Sequence, residues 1–192
     1  MKSKEKEDKL QKVVDAYPHV WKTKSALLSW IRGGIRRSLW NKSPQKLEFI
    51  KKNRIKIPNP NPNGRAKEVF GGVCYITGEA FPLDKLQIDH KIGNHSLMSL
   101  DDLQAFIEGI ALVTEQDLAF ISLEAHANKT YAEKYGISYE EAKATREAIA
   151  LCKEKQDVKW LEERGITPAS NTAKRRQQII DILREESNET LD

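Results

Sequence analysis

The chain has 192 residues, 31% of them charged, which suits a soluble globular protein with one compact domain and appendages or two small domains. Its apolar runs are short and its charged N-terminus lacks the apolar stretch of a secretory signal, so we expect a cytoplasmic protein without a membrane partner. Two cysteines, Cys74 and Cys152, argue against a disulfide framework and cannot supply the four ligands of a structural zinc site.

The net charge of +4 is distributed unevenly along the chain. Residues 21–67 contain 13 lysines and arginines and a single acid, Glu48, whereas the remainder has 19 basic and 27 acidic residues. A polyanion bound to so cationic a segment releases counterions, which drives salt-sensitive association. We therefore expect this segment to contact nucleic acid, with a solvated surface as the alternative.

The N-terminal part is predicted to be helical. Residues 1–18 are polar and indicate a helix or a frayed arm, and apolar residues at helical spacing predict a helix over 25–40, weakened at Gly33-Gly34. Ser43 is a good N-cap and Pro44 a good first residue for a second helix that ends near Asn53. Trp40 is interpreted as a packing anchor rather than as a platform for nucleic acid bases.

Three prolines alternate with asparagines between Ile57 and Gly64. Such a sequence suits neither a helix nor the interior of a sheet. We interpret residues 57–66 as a stiff, extended linker and as the clearest internal boundary of the chain.

Short strands and helices are predicted to follow. Residues 70–76, 86–92 and 118–121 indicate strands. A helix is predicted to begin at Ser99, because Asp102 three residues later resembles the partner in a capping box. A further helix is predicted from Ser122 to about Tyr135, ended by Gly136.

The C-terminal part is predicted to contain two helices. Ser138 and Glu141 form a capping box for a helix that runs to about Arg164, and a last helix covers residues 172–183. Basic residues in the first turns of that helix oppose its dipole, which makes phosphate contact as plausible as simple solvation. They are Lys174, Arg175 and Arg176.

Asp89 and His90 are adjacent on the strand predicted over 86–92, and His126 lies on the helix predicted from Ser122. Neighbouring residues on a strand point to opposite faces, so one can bind a metal ion while the other acts as a base. Phosphodiester hydrolysis needs a deprotonated water and stabilisation of negative charge, which an imidazole and a divalent cation supply. An Asp-His pair alone is more often a surface or structural feature.

An ordered set of motifs carries a family resemblance over roughly half the chain. They are Val73–Glu79, Leu86–Ile92, Leu97–Ile107, Leu118–Ser122 and Ala125–Thr130. Together they resemble the opening knuckle, first motif, inserted helix, closing strand and closing helix of an HNH endonuclease module, especially the small free-standing or homing kind that bacteriophages encode. The stretch Trp30–Lys52 resembles the basic helical arm that precedes the module in that group.

The resemblance implies the roles of the central residues. Asp89 and His126 would be metal ligands and His90 the general base. The middle position of the family, usually Asn, maps to Asp117, which would brace the loop that orients His90. Asn94 and His95 follow the first motif and could face the scissile phosphate, although a plain polar loop is the favoured interpretation.

The resemblance also implies the architecture, an α+β fold in which a mostly helical chain surrounds a small ββα-metal HNH module. The predicted parts are a basic DNA-binding arm (1–56), the linker (57–66), the nuclease module (67–136) and a C-terminal helical region (137–192). The C-terminal helices are expected to add target contacts or to form a homodimer. A phage-encoded member would act in the host cytoplasm.

The sequence departs from the family where many members hold a structural zinc ion between four cysteines. Cys74 matches the first of these positions, but the other three are occupied by Thr77, Ser122 and Ala125. We predict no structural zinc, and a knuckle held instead by Val73, Tyr75, Ile76, Leu118 and Phe120. With two protein ligands, the catalytic cation is expected to be Mg²⁺ or Mn²⁺ rather than tightly held zinc.

The sequence thus predicts a metal-dependent HNH endonuclease that nicks or cuts double-stranded DNA. A non-catalytic DNA-binding protein on a degenerate HNH scaffold is one alternative, and an RNA-directed or protein-partnered factor is another. The side chains predicted to contact nucleic acid are Arg32, Arg36, Arg37, Lys51, Lys52, Arg54, Lys129, Lys174, Arg175 and Arg176.

Overall fold

The structure, a computed structural model, describes residues 8–91 and 97–189, except for the side chains of residues 188 and 189. It is a mixed α and β protein, 57% helical with small antiparallel sheets, as an α+β class requires. The chain divides into two compact units, Met1–Ile121 and Ser122–Asp192. None of the described helices is long and apolar enough to cross a bilayer.

The first unit contains helices and all of the described strands. Its elements are α1 (Lys9–Ala16), α2 (Lys24–Ile35), a π-helical turn (Arg36–Trp40), α3 (Pro44–Asn53), β1 (Ile55–Pro58), β2 (Glu68–Val73), β3 (Ala80–Pro82), a 3₁₀ turn (Leu83–Lys85), β4 (Leu86–His90), α4 (Leu103–Ala111), a second 3₁₀ turn (Glu115–Asp117) and β5 (Leu118–Ser122). The second unit begins at the last residue of β5. It continues with α5 (Leu123–Tyr135), α6 (Tyr139–Lys153), α7 (Asp157–Glu162) and α8 (Thr172–Glu189).

The helix starts near the N-terminus follow from their caps. Ser43 accepts a hydrogen bond from the backbone N–H of Lys46 at 3.3 Å, and Pro44 opens α3, as predicted. The helix predicted over 25–40 is α2, which Thr23 caps. Gly33-Gly34 does not interrupt α2. The chain instead widens after Ile35 into a π-helical turn, which the sequence did not predict.

The proline–asparagine segment forms the loop of a β-hairpin, so the prediction of an extended linker was wrong. β1 pairs antiparallel with β2, from Ile55 opposite Gly71 to Pro58 opposite Glu68. Proline is tolerated here because β1 is an edge strand in the sheet order β1-β2-β3. Within the loop, the side chain of Asn59 accepts from the N–H of Asn61 at 3.0 Å, and hydrogen bonds of this kind close turns.

A second sheet consists of β4 and β5. The N–H of Lys91 donates to the carbonyl of Asp117 at 2.9 Å, joining the end of β4 to the start of β5 as in an antiparallel pair. Every residue of β5 is buried, which explains why its sequence is a continuous apolar run. Together with α3 these strands form one core cluster, whose buried members are Phe49, Ile88, Val113, Leu118 and Phe120.

The knuckle segment Val73–Glu79 is the end of β2 and the turn into β3. Cys74 is fully buried, whereas its neighbours Val73 and Tyr75 are 47% and 38% exposed. The predicted packing role therefore holds for Leu118 and Phe120, and Ile76 is half-buried. It does not hold for Val73 and Tyr75, because the buried position directly after β2 is that of Cys74.

A second core cluster of the first unit lies between α2 and α4. Its buried members are Leu28, Leu97, Phe106 and Ile110. The predicted contact between Ser99 and Asp102 is present, since the Asp102 carboxylate accepts from the N–H of Ser99 at 2.7 Å. However, α4 begins four residues later than predicted, at Leu103, because Asp102 is its N-cap residue.

In the second unit, α5 begins and ends as predicted, with Ser122 as N-cap and Gly136 at a φ of +65°. Ser138 caps α6, also as predicted. The helix predicted to reach Arg164 is instead two helices, because Lys155 adopts a φ of +58° between α6 and α7. The core joins α6, α7 and α8 through Ala144, Ala148, Leu161, Ile179 and Ile180.

Candidate functional site

The predicted catalytic pair lies at the C-terminal end of β4. Ile88 is buried in the core cluster, and Asp89 and His90, which follow it, are both half-buried. Because the core anchors Ile88, the backbone that carries the two polar side chains is fixed at the edge of the core. Asn94 and His95 lie outside the described residues.

The imidazole of His90 lies against the indole of Trp40. The two ring centroids are 4.3 Å apart and the rings are inclined by 35°. The Nζ atom of Lys46 lies 5.1 Å from the centroid of the same indole. Burial lowers the pKa of Lys46. A cation, an indole and an imidazole thus form a contiguous group, and the Nε2 atom of His90 is buried.

Asp117 lies close to His90, but its carboxylate is bound locally. Its Oδ2 accepts from the N–H and the hydroxyl of Thr114, both at 2.7 Å. These two hydrogen bonds, followed by electrostatic interactions with His90 and Lys91, hold the pKa of Asp117 below its ordinary value. The contact with the end of β4 is made by the backbone carbonyl of Asp117, which accepts from the N–H of Lys91.

His126 lies in the first turn of α5, in the second unit, and is half-buried. Asp89 and His126 therefore belong to different units, and their pairing at one metal ion stays a prediction. Within residues 8–91 and 97–189, no group of three or more His, Cys, Asp or Glu side chains is arranged to hold a metal ion. The predicted set has two protein ligands, so this finding does not test it.

Two cations share one aromatic ring on the β1–β2 hairpin. The guanidinium of Arg54 lies 3.9 Å and the Nζ of Lys56 4.6 Å from the ring centroid of Phe70, which is 40% exposed. The pairing of the strands places Lys56 directly opposite Phe70. Neither cation forms an ion pair with a carboxylate in the part of the chain that the structure describes.

The other residues of the first unit that are predicted to contact nucleic acid differ in their exposure and in their partners. Arg37 and Lys51 are exposed and Arg32 is half-buried. Arg36 lies 5.7 Å from the centroid of Phe106, and burial, followed by the charge of Arg32, lowers its pKa. Lys52 forms an ion pair with Glu115 at 3.1 Å.

In the second unit, Arg175 is a structural residue. Its Nε donates to the buried carboxylate of Asp157 at 2.7 Å, and its remaining nitrogens donate to the carbonyl of Ala169 and the hydroxyl of Thr172. Lys174 and Arg176 are exposed. Lys129 is 17% exposed and lies 3.9 Å from Glu133. A contact with nucleic acid would therefore use Lys174 and Arg176 more readily than Arg175.

Comparison with known proteins identified no relative. A scan against family models gave no match, and neither did searches of the curated proteins and of the solved structures. The relation to HNH endonucleases therefore remains a resemblance of motifs, and what the protein does must be argued from its own residues.

Sequence reasoning missed four residues of this region: Trp40, Lys46, Lys56 and Phe70. Lys56 and Phe70 could have been found, since alternation of Arg54 and Lys56 beside an apolar Ile55 and Ile57 is typical of a strand. The neighbouring prolines concealed that strand. Trp40 is a packing anchor, as predicted, since it packs against the core cluster. Its contact with His90 could not be predicted, because the direction of the side chain depends on a π-helical turn that no pattern indicated.

Proposed function

We propose that the protein is a metal-dependent endonuclease that hydrolyses phosphodiester bonds in double-stranded DNA, as HNH enzymes do. One observation supports this proposal above the rest. β4, which carries Asp89 and His90 at its end, pairs with β5, and β5 leads directly into the helix that bears His126 in its first turn. This order of strand, strand and helix is the order that the resemblance implies.

In this proposal His90 acts as the general base and accepts a proton from the attacking water. In its neutral form an imidazole can take up that proton through its unprotonated ring nitrogen. The hydrogen bond between Lys91 and Asp117 restrains the backbone that follows His90, so the ring stays at the end of the sheet. Asp117 thus contributes through its backbone, while its carboxylate stabilises the turn that begins at Thr114.

The proposed metal ligands are Asp89 and His126. A carboxylate and an imidazole suit Mg²⁺ or Mn²⁺, which complete their coordination shells with water and phosphate oxygens. Both side chains are half-buried, so each retains some contact with solvent. When bound, the cation would stabilise negative charge on the phosphate oxygens.

The hairpin cations would hold the DNA backbone. Arg54 and Lys56 place like charges against the same Phe70 ring, and neither forms an ion pair with a carboxylate among the described residues. Two like charges held near one ring repel each other, and a phosphate bound by both would offset that repulsion. Arg37 and Lys51 are further exposed cations of the first unit.

Digestion of supercoiled plasmid DNA with Mg²⁺ or Mn²⁺, with and without EDTA, tests the proposal. We expect cleavage that EDTA abolishes and that His90→Ala slows by about 10²–10⁴-fold, the usual contribution of a general base. His19→Ala is the matched control, because His19 is exposed in the loop after α1. Cleavage by His90→Ala at the wild-type rate would refute the assignment of the base.

The ligand assignment has its own test. Electron paramagnetic resonance of added Mn²⁺ measures metal binding without relying on cleavage. We expect Asp89→Asn and His126→Ala each to weaken Mn²⁺ binding, and Glu124→Gln, an exposed acid beside His126 in the first turn of α5, to leave it unchanged. If neither ligand variant weakens binding, the two residues are not the metal ligands.

A second candidate is a non-catalytic DNA-binding protein. One observation favours it: the Nε2 atom of His90 is buried, which limits its access to an attacking water. A wild-type protein that retains duplex DNA but cuts under no divalent cation would support this candidate. Parallel retention assays on structured RNA would reveal an RNA-directed factor.

A further inference from the structure

We propose that Trp40 is a positioning residue for His90, whose imidazole it holds in one orientation. The inference rests on the proposed function, in which His90 is the general base. Its structural basis is the contact between the two rings, at 4.3 Å between centroids and 35° between planes. Offset or tilted arrangements at such distances are favourable for aromatic pairs.

The direction of the indole depends on the π-helical turn. The N–H of Asn41 donates to the carbonyl of Arg36 at 3.2 Å, five residues earlier rather than four. An α-helix advances about 100° per residue, so one additional residue in a turn rotates everything that follows by roughly that angle. A purely α-helical continuation of α2 would direct residue 40 elsewhere. Turns of this type are rare and occur often at functional sites.

The indole is restrained by its other neighbours as well. Trp40 is half-buried and packs against the core cluster that contains Phe49 and Ile88. Lys46, one turn into α3, places its ammonium group over the indole. The Ser43 cap stabilises the start of α3, the helix that carries Lys46. The indole is therefore a fixed surface for the imidazole.

His90 needs such a surface because its ring is not oriented by the backbone alone. The terminal torsion of a histidine side chain has a broad energy profile, so packing or hydrogen bonds must select the ring orientation. A general base works only when its nitrogen is within hydrogen-bond reach of the water, and small misplacements of that nitrogen lower the catalytic rate strongly. Loss of the indole face should therefore slow catalysis and leave DNA affinity largely intact.

Two variants separate positioning from stability. Trp40→Phe keeps an aromatic face, whereas Trp40→Leu keeps apolar volume without one. We expect Trp40→Leu to lower kcat by about 10–100-fold, Trp40→Phe to retain most of the activity, and the dissociation constant for duplex DNA in EDTA to stay within about twofold for both. Thermal unfolding of both variants checks that they fold alike.

A spectroscopic readout tests the contact without metal or substrate. The chain has four histidines, so the imidazole signals in a ¹H–¹³C NMR spectrum are few, and His90→Gln identifies those of His90. We expect the indole to shift the His90 ring protons in the metal-free protein. Trp40→Leu should abolish that shift and Trp40→Phe should preserve part of it.

The outcomes are distinguishable. Wild-type kcat in a folded Trp40→Leu variant, or equal losses of rate in the Leu and Phe variants, overturns the inference. His90 ring protons that do not respond to Trp40→Leu also overturn it. A wild-type protein that never cleaves overturns the proposed function, and the NMR measurement then decides alone whether Trp40 positions His90.

Discussion

In the first unit several cations lie over aromatic rings, whereas in the second unit most of the cations with a described partner lie beside carboxylates. Arg36 lies over the ring of Phe106 and Lys46 over that of Trp40. The ring of Phe70 is contacted by both Arg54 and Lys56. In the second unit Lys129, Lys159, Arg164, Arg175 and Arg184 lie 2.7–3.9 Å from acids. A ring fixes a cation without neutralising it, so these four cations of the first unit keep their positive charge for an external anion, whereas the carboxylates offset the charge of the paired cations in the second unit.

Removal of the buried acid should cause the largest change in stability. The pair of Asp157 and Arg175 is the most buried ion pair described in the second unit, with side chains only 6% and 16% exposed. Asp157→Ala leaves the guanidinium without its carboxylate, and breaking such a pair costs about 3–5 kcal/mol. Chemical denaturation measures the loss, and Glu162→Ala, an exposed acid on the same helix, is the control. A change below about 1 kcal/mol would mean that the pair does not hold the second unit together.

Acid should weaken the second unit through the same pair. The hydrogen bond from Arg175 lowers the pKa of Asp157 below its ordinary value of 3.8. The resulting stabilisation is complete above that value and is lost as the pH falls through the lower pKa of the folded state. We expect the difference in Tm between wild type and Asp157→Asn to shrink as the pH drops below 3.8. A difference that is independent of pH would contradict the assignment.

Charge removal on the hairpin should affect DNA binding rather than folding. Arg54→Ala with Lys56→Ala should reduce the slope of log K against log salt by about 2, since each phosphate contact contributes about 0.9. The matched control is Lys143→Ala with Lys153→Ala, two exposed lysines on α6. Fluorescence anisotropy in EDTA measures both. An equal effect of the two double variants would show that net charge, not the hairpin, determines affinity.

The smallest expected difference concerns one helix cap from each unit. Ser43 is buried and also donates to Gln45, whereas Ser138 is exposed. Ser43→Ala should lower the free energy of unfolding by about 2 kcal/mol and Ser138→Ala by about 1 kcal/mol. The loss is larger at Ser43 because the site is buried, so the N–H of Lys46 and the side-chain oxygen of Gln45 cannot replace the lost hydrogen bonds with water. Denaturant titration compares the two variants, and a reversed order would show that burial does not strengthen the cap.

The sequence predicted those helix ends that depend on hydrogen bonds between near neighbours in the chain. Ser43 with Pro44, Ser122 with Gly136, and Ser138 each determine a helix end through hydrogen bonds within a few residues. Asp89 and His90 also fall on a strand as predicted, because the apolar Ile88 beside them anchors it in the core.

Features that depend on distant residues could not be predicted. The β1 strand forms only because β2 supplies its hydrogen-bonding partners, so the prolines nearby gave the wrong impression of a linker. The π-helical turn before Asn41 has no periodic signature, and it directs Trp40 towards a histidine fifty positions later in the chain. The break between α6 and α7 at Lys155 could not be predicted either, since lysine rarely adopts a positive φ.

The loop between β1 and β2 has a thermodynamic consequence. Pro60 and Pro62 in this loop, and Pro58 at the end of β1, have nearly the same φ in the denatured ensemble as in the native fold, so these residues lose little conformational entropy on folding. Asn59 further restrains the ordered loop by donating to the carbonyl of Ala66 at 2.8 Å. Ordering this loop therefore costs less conformational entropy than ordering a glycine–serine loop of equal length. The small sheet consequently needs less stabilisation from side-chain packing.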